Sequence, residues 1–171
     1  MAVLIPSMRA VRALAIIAIT ASIATVAAGG AESAPSSQRA VLARGRYLVA
    51  FGACNDCHTP GWHESDGKVP TARWMTGSTI GFRGAWGTSY PANVRLEFQV
   101  MPEDQWVIVV RTRGGHPPML WHDLRMLTDA DRHAIFRFIR SLGPAGVPAP
   151  ASLPPWQTPA TPFVDASVHQ P

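Results

Sequence analysis

Apolar side chains recur at helical spacing in the first half of the chain. The members of this stripe are Val41, Leu42, Leu48 and Val49. They predict an amphipathic helix over residues 38–53, capped by Ser36 or Ser37. Gly45 lies on the same stripe, although glycine inside a helix costs about 1 kcal/mol relative to alanine. We therefore expect another helix to approach this one closely at Gly45.

Two further helices are predicted towards the end of the chain. Thr128 precedes a segment with acidic residues first and a Gly-Pro stop after it, so a helix is expected over residues 129–142. Its buried stripe should consist of Ile135, Phe138, Ile139 and Leu142. Residues 102–113 open with Pro-Glu-Asp and close on Gly-Gly, although four consecutive β-branched residues would also suit a strand. We predict a helix there.

Residues 59–101 show no periodic element. They contain six glycines and six aromatic side chains: Trp62, Trp74, Phe82, Trp86, Tyr90 and Phe98. A structureless loop of this length is unusual in a compact domain. A large apolar ligand would explain it, because aromatic loops can pack against a cofactor in place of other elements.

The last part of the chain, residues 144–171, is a proline-rich tail. It holds 8 of the 16 prolines and one charge, Asp165. Proline removes a backbone donor and fixes φ, so this tail is not expected to form a helix or a central strand. We expect extended chain that either wraps the domain or tethers it.

The amino terminus resembles a secretory leader. Residues 1–12 include Arg9 and Arg12 and no acid, and the next 19 positions carry no charge. This pattern predicts a signal peptide over residues 1–31 and export to the periplasm, with an uncleaved membrane anchor as the alternative. A polar linker is expected at residues 32–37.

The overall charge excludes one class of partner. The sequence pI is about 9.8, but without residues 1–31 the chain has 13 basic and 11 acidic side chains, a net charge of +2. Nucleic-acid binding therefore has little electrostatic support.

The sequence Cys-Asn-Asp-Cys-His at residues 54–58 is a C-x-x-C-H motif, the attachment sequence of c-type haem. Cys54 and Cys57 would form thioethers with the two porphyrin vinyl groups, and His58 would meet one face of the iron. Export, the preceding helix and the aromatic loop all agree with this interpretation.

The motif has two other interpretations. A thioredoxin-type dithiol or disulfide would prefer a strand before the motif and a helix after it. A structural zinc site would need further ligands, and no second C-x-x-C is present. Both fit the sequence less well than covalent haem.

The sequence offers several candidates for the ligand on the second face of the iron. Candidates are Met75, Met101, Met119, Met126, His63, His116, His122 and His133. Met119 follows the stiff pair Pro117-Pro118 and lies 61 positions after His58, between two predicted helices, so it is preferred, with His116 and His122 next. A strong second ligand makes an electron carrier, whereas an open face makes a gas binder or peroxidase.

Five segments carry a resemblance to a known family: residues 44–49 (RGRYLV), 54–59 (CNDCHT), 117–119 (PPM), 127–131 (LTDAD) and 139–144 (IRSLGP). Over residues 38–144 the chain resembles class I cytochrome c, particularly the haem domains of bacterial cytochromes associated with alcohol and aldehyde dehydrogenases. Those subunits often carry three C-x-x-C-H motifs, and this chain has one.

The resemblance implies an all-α fold: a small cytochrome c domain over residues 38–143 wrapped around one covalently attached haem c. It implies Cys54 and Cys57 as attachment points, His58 as proximal iron ligand and Met119 as distal ligand. It also implies that the first and last helices cross at Gly45 and an aromatic residue, Phe136 or Phe138.

The expected function is electron transfer rather than catalysis. An exported mono-haem cytochrome would carry single electrons from a dehydrogenase-type donor to an acceptor of the respiratory chain, and would touch a membrane only if the leader stays uncleaved. The alternative is a haem-based gas sensor or peroxidase-like protein with an open distal site. Arg83, Trp86, Tyr90 and Asn93 are candidates to bond the haem propionates or orient Met119, or else ordinary packing residues.

Overall fold

A computed structural model describes residues 33–167 of the chain. The helices of the described part are α1 (Ser33–Phe51), α2 (Cys54–His58), α3 (Val94–Val100), α4 (Glu103–Thr112), α5 (Trp121–Met126) and α6 (Asp129–Ser141). Of the described residues, 39–167 belong to one compact unit. Within the described range, no helix has the length and apolar character needed to cross a membrane. The leader predicted over residues 1–31 lies outside this range.

The first helix begins earlier than predicted. α1 starts at Ser33 rather than Gln38, so Ser36 and Ser37 lie inside the helix and do not cap it. The reason is that Pro35 falls in the first turn, where a missing N–H breaks no intrahelical hydrogen bond. The short polar stretch expected to be a linker is therefore largely helical.

The other two predicted helices are confirmed. α6 has the predicted cap, because the Thr128 hydroxyl accepts a hydrogen bond from the Asp131 amide at 3.1 Å. Its buried face includes three predicted residues, Ile135, Phe138 and Ile139, together with Ala134 and Phe136. α4 occupies the segment whose pattern suited helix or strand equally.

α1 and α6 cross at Gly45, as expected. A Cβ atom placed on Gly45 would contact the carbonyl group of Ala134 and would lie 2.6 Å from Phe138 Cβ. Arg44 extends the contact, because its Nε donates to Asp131 Oδ1 at 2.8 Å. The glycine therefore permits a close approach of two helices, which explains its place on the apolar stripe.

The expectation of a purely all-α fold is wrong, because a small sheet lies beside the helices. Its strands are β1 (Gly81–Gly84), β2 (Gly87–Ser89) and β3 (Phe163–Asp165), in the order β2-β1-β3. β1 pairs antiparallel with β2 and parallel with β3. Strands of three or four residues are too short to show an alternating pattern, and β3 comes from the distant proline-rich tail.

The long aromatic segment is more ordered than the sequence indicated. Besides the hairpin it contains a 3₁₀ turn at Thr71–Arg73 and all of α3. Its aromatic rings build the core: the ring centroids of Phe98 and Phe136 are 4.6 Å apart, and those of Phe98 and Trp106 are 5.0 Å apart. The segment is thus part of the protein interior.

The proline-rich tail wraps the domain. Arg83 donates to the carbonyls of Gln157 at 2.7 Å and Pro155 at 3.1 Å. Thr88 and Leu153 exchange two backbone hydrogen bonds of 2.8 Å. The tail passes so close to Gly87, whose φ is +101°, that a Cβ there would lie 2.8 Å from the carbonyl carbon of Pro154. These contacts fasten the tail to the hairpin.

Candidate haem site

The C-x-x-C-H motif forms its own short helix. Ala53 adopts a left-handed conformation, φ 56°, between α1 and α2, so the motif is separated from the first helix by a sharp break. Cys54 and Cys57 are three positions apart on α2, which places them on neighbouring positions of one helix face. Both are half-buried free thiols. Two thiols on one face suit attachment to one edge of a planar ring.

The two thiols are weakly acidic. Burial raises the pKa of Cys54 to about 11 and also raises the pKa of Cys57. A redox dithiol of the thioredoxin type needs the opposite, a depressed pKa that yields a thiolate. In the described part of the chain no group of three or more His, Cys, Asp or Glu side chains could hold a metal ion.

His58 is held in one tautomer. Its Nδ1 lies 2.8 Å from the carbonyl oxygen of Ala92, and because a carbonyl only accepts, Nδ1 must carry the proton. Burial lowers the pKa of His58 more than this hydrogen bond raises it. The neutral ring therefore keeps its lone pair on Nε2, which is the form that ligates a metal.

Hydrogen bonds from the following loop fix the motif in place. The Thr59 hydroxyl donates to Asn55 Oδ1 at 2.7 Å and accepts from the Met75 amide at 2.9 Å. The Gly77 amide donates to the His58 carbonyl at 2.9 Å. Because the bonds engage both ends of α2, the orientation of its side chains is set by the loop.

Two buried side-chain nitrogens in the described part of the chain have no hydrogen-bond partner: Asn55 Nδ2, within the motif, and Trp86 Nε1, on the hairpin turn. An unpaired buried donor is costly. Indole N–H is a donor only, and a haem propionate is an acceptor of the kind it lacks. The donor set of α2, two thiols and a neutral imidazole, therefore fits haem c.

Met119 lies in the segment between α4 and α5, and its side chain is 37% exposed. The peptide bond between Pro117 and Pro118 is cis. The Ser89 hydroxyl donates to the Pro117 carbonyl at 3.0 Å, which attaches this segment to the end of β2. Cys54, Cys57 and His58 thus share one helix, and Met119 belongs to a different segment of the chain.

Other candidate ligands have different surroundings. Met126 is 84% exposed on α5, and Met75 is buried in the hydrophobic core. His133 Nδ1 lies 2.6 Å from Glu103 Oε1, and His122 Nε2 lies 2.9 Å from Asp123 Oδ1. His133 and His122 are therefore engaged with carboxylates.

Three of the four residues considered for the propionates hold the tail. Arg83 bonds tail carbonyls as described above. The Tyr90 hydroxyl lies 3.0 Å from Thr161 Oγ1, and Asn93 Nδ2 donates to Ala145 O at 2.8 Å and Val147 O at 3.1 Å. Asn93 also caps α3 by accepting from the Leu96 amide. Of these four residues, Trp86 is the one whose buried side-chain nitrogen has no hydrogen-bond partner.

The sequence analysis missed the contacts that residues 89–92 make. Ala92 acts through its backbone carbonyl, which leaves no side-chain signal in a sequence. Asn93 could have been recognised as a helix cap, since asparagine is favoured before a first helical turn. Recognition of that cap would have predicted the start of α3 and placed Ala92 immediately before the capping residue.

The chain is similar in sequence to a subunit of a bacterial dehydrogenase. It is 32% identical to the gluconate 2-dehydrogenase cytochrome c subunit of Pantoea cypripedii, in a match that covers 64% of this chain and 28% of that subunit. The chain thus spans little more than a quarter of the relative's length. No family model matches the chain, and no solved structure gives a significant match. The similarity supports a cytochrome c-type domain.

Proposed function

We propose that this protein is an exported mono-haem c-type cytochrome that carries single electrons from a dehydrogenase to a respiratory acceptor. The observation that carries the proposal is the hydrogen bond from His58 Nδ1 to the Ala92 carbonyl. Because Nδ1 carries the proton in this bond, the Nε2 lone pair of the neutral imidazole is available to ligate a metal. The neighbouring pair of thiols supplies the covalent attachment. The named relative supports a dehydrogenase as donor.

When bound, haem supplies a one-electron couple between ferric and ferrous iron. Cys54 and Cys57 would hold the ring by thioethers, His58 would be the proximal ligand and Met119 the distal ligand. A thioether raises the potential relative to a second histidine, because soft sulfur favours ferrous iron. Burial among aromatic side chains would also raise the potential, because an apolar surrounding favours the less charged ferrous haem.

Attachment is tested by haem staining after denaturing electrophoresis of the full chain, co-expressed with haem-attachment machinery. The wild type should stain. Cys54→Ser with Cys57→Ser should give an unstained band, because no thioether can form. An unstained wild-type band would contradict the proposal.

The distal ligand is tested by Met119→Leu, which keeps the volume but removes the sulfur. We expect loss of the far-red sulfur-to-iron band and a lower reduction potential. Met126→Leu is the matched control, because Met126 is 84% exposed on α5 and should leave both unchanged. Retention of the band in Met119→Leu would show that another methionine supplies the sulfur, whereas absence of the band from the wild type would favour the gas-sensor alternative.

A further inference from the structure

Residues 89–92 contact both parts of the chain that would supply the iron ligands. At one end of this segment, the Ala92 carbonyl accepts from His58. At the other end, the Ser89 hydroxyl donates to the Pro117 carbonyl, two residues before Met119. One tetrapeptide therefore adjoins both the proximal histidine and the methionine segment.

Ser89 stands on an ordered framework. It is the last residue of β2 and is in register with Phe82 of β1. The preceding residue, Thr88, exchanges two backbone hydrogen bonds with Leu153 of the tail. The Ser89 hydroxyl has one proton, and its contact with the Phe82 carbonyl, 3.5 Å, is longer than the 3.0 Å contact with the Pro117 carbonyl. The proton is therefore assigned to the bond with Pro117.

The methionine segment has few other attachments. Its local bond is the one from the Trp121 amide to the Met119 carbonyl, 3.0 Å. In the part of the chain that the structure describes, the Ser89 hydroxyl provides the one hydrogen bond between residues 114–119 and a distant element. Because this segment is exposed, it depends on that hydrogen bond for its position.

We propose that Ser89 is a positioning residue for the distal ligand: its hydroxyl holds the Pro117 carbonyl, and with it Met119, in fixed relation to the segment that orients His58. The inference rests on the proposed function, since it takes Met119 as an iron ligand. Ser89 is not itself an iron ligand in this proposal. Its role is to keep the Met119 sulfur from dissociating from the iron.

The test is carbon monoxide binding to the ferrous full-length holoprotein, together with the far-red band of the ferric form. Carbon monoxide enters only when Met119 is dissociated, so its rate of binding reports the open fraction. Loss of one neutral hydrogen bond should raise that rate about fivefold in Ser89→Ala and weaken the far-red band. Ser141→Ala is the control, because it removes a hydroxyl-to-carbonyl bond of 2.6 Å within α6 and should change neither signal.

A second pair guards against a general loss of structure in Ser89→Ala. Ser89→Thr and Ser89→Val introduce side chains of nearly the same shape, but only threonine keeps the hydroxyl. Threonine should behave as wild type and valine as alanine. Equal rates in the two variants, or an unchanged rate in Ser89→Ala, would overturn the assignment of Ser89. A wild-type protein that stains for haem but lacks the far-red band would instead refute Met119 as ligand, and the role of Ser89 with it.

Discussion

Gly45 of α1 and Phe138 of α6 approach so closely that there is no room for a side chain between them. A Cβ atom on Gly45 would lie 2.6 Å from Phe138 Cβ, besides contacting the backbone carbonyl of Ala134. α1 leads into the cysteine motif and α6 carries the largest buried face. The crossing therefore fixes the helix that precedes the candidate haem site.

Gly45→Ala should destabilise the protein, although alanine is the better helix former by about 1 kcal/mol. The methyl group meets a rigid backbone carbonyl, and overpacking of this kind typically costs about 1–3 kcal/mol. The measurement is the free energy of unfolding in urea. Gly114→Ala is the matched control, because a Cβ there meets nothing within 4 Å. Equal stability of Gly45→Ala and wild type would show that the two helices do not cross as described.

The tail should be held less tightly to the hairpin when Arg83 is removed. Its guanidinium donates to the carbonyls of Pro155 and Gln157, and hydrogen bonds from a charged donor contribute about 1.5–3 kcal/mol each before allowance for exposure to water. Arg83→Ala should therefore speed amide exchange at Leu153 and proteolysis near Trp156.

The control for this experiment is Lys68→Ala, whose side chain is exposed and pairs with the exposed Asp66. It should leave exchange and proteolysis of the tail unchanged. If Arg83→Ala gave the same protection at Leu153 as wild type, the arginine would not be what fastens the tail.

The ion pair between Arg44 and Asp131 should make stability depend on pH. The hydrogen bond from Arg44 holds the pKa of Asp131 below its ordinary value. A carboxylate with a lowered folded pKa stabilises the protein above the unfolded value, about 3.9, and this contribution is lost as the pH falls through the folded value. Asp131→Asn should thus be less stable than wild type at pH 7, and the difference should shrink below about pH 4.

Urea midpoints measured from pH 7 to pH 3 check this dependence. Asp66→Asn serves as control, because Asp66 and its partner Lys68 are both largely exposed and such pairs contribute little. A stability difference for Asp131→Asn that stayed constant through acid would mean that the carboxylate charge is not responsible.

The sequence predicted elements with strong local signals and missed those made by distant residues. α6 was predicted because Thr128 and the Gly-Pro stop mark its two ends, and the C-x-x-C-H motif is visible from spacing alone. β3 could not be predicted, because it pairs with a strand some eighty residues earlier in the chain. Likewise, Ala92 contributes a backbone carbonyl, which any residue could supply, so its contact with His58 is visible only in the fold.

The most direct test of a haem held by Cys54, Cys57, His58 and Met119 is the visible absorption of the mature protein, co-expressed with haem-attachment machinery. Spectra are recorded oxidised, then reduced, then reduced with carbon monoxide. A six-coordinate histidine–methionine electron carrier predicts sharp reduced bands, a weak far-red band in the oxidised form and no rapid response to carbon monoxide. Rapid carbon monoxide binding by the wild type would contradict it and indicate an open distal site.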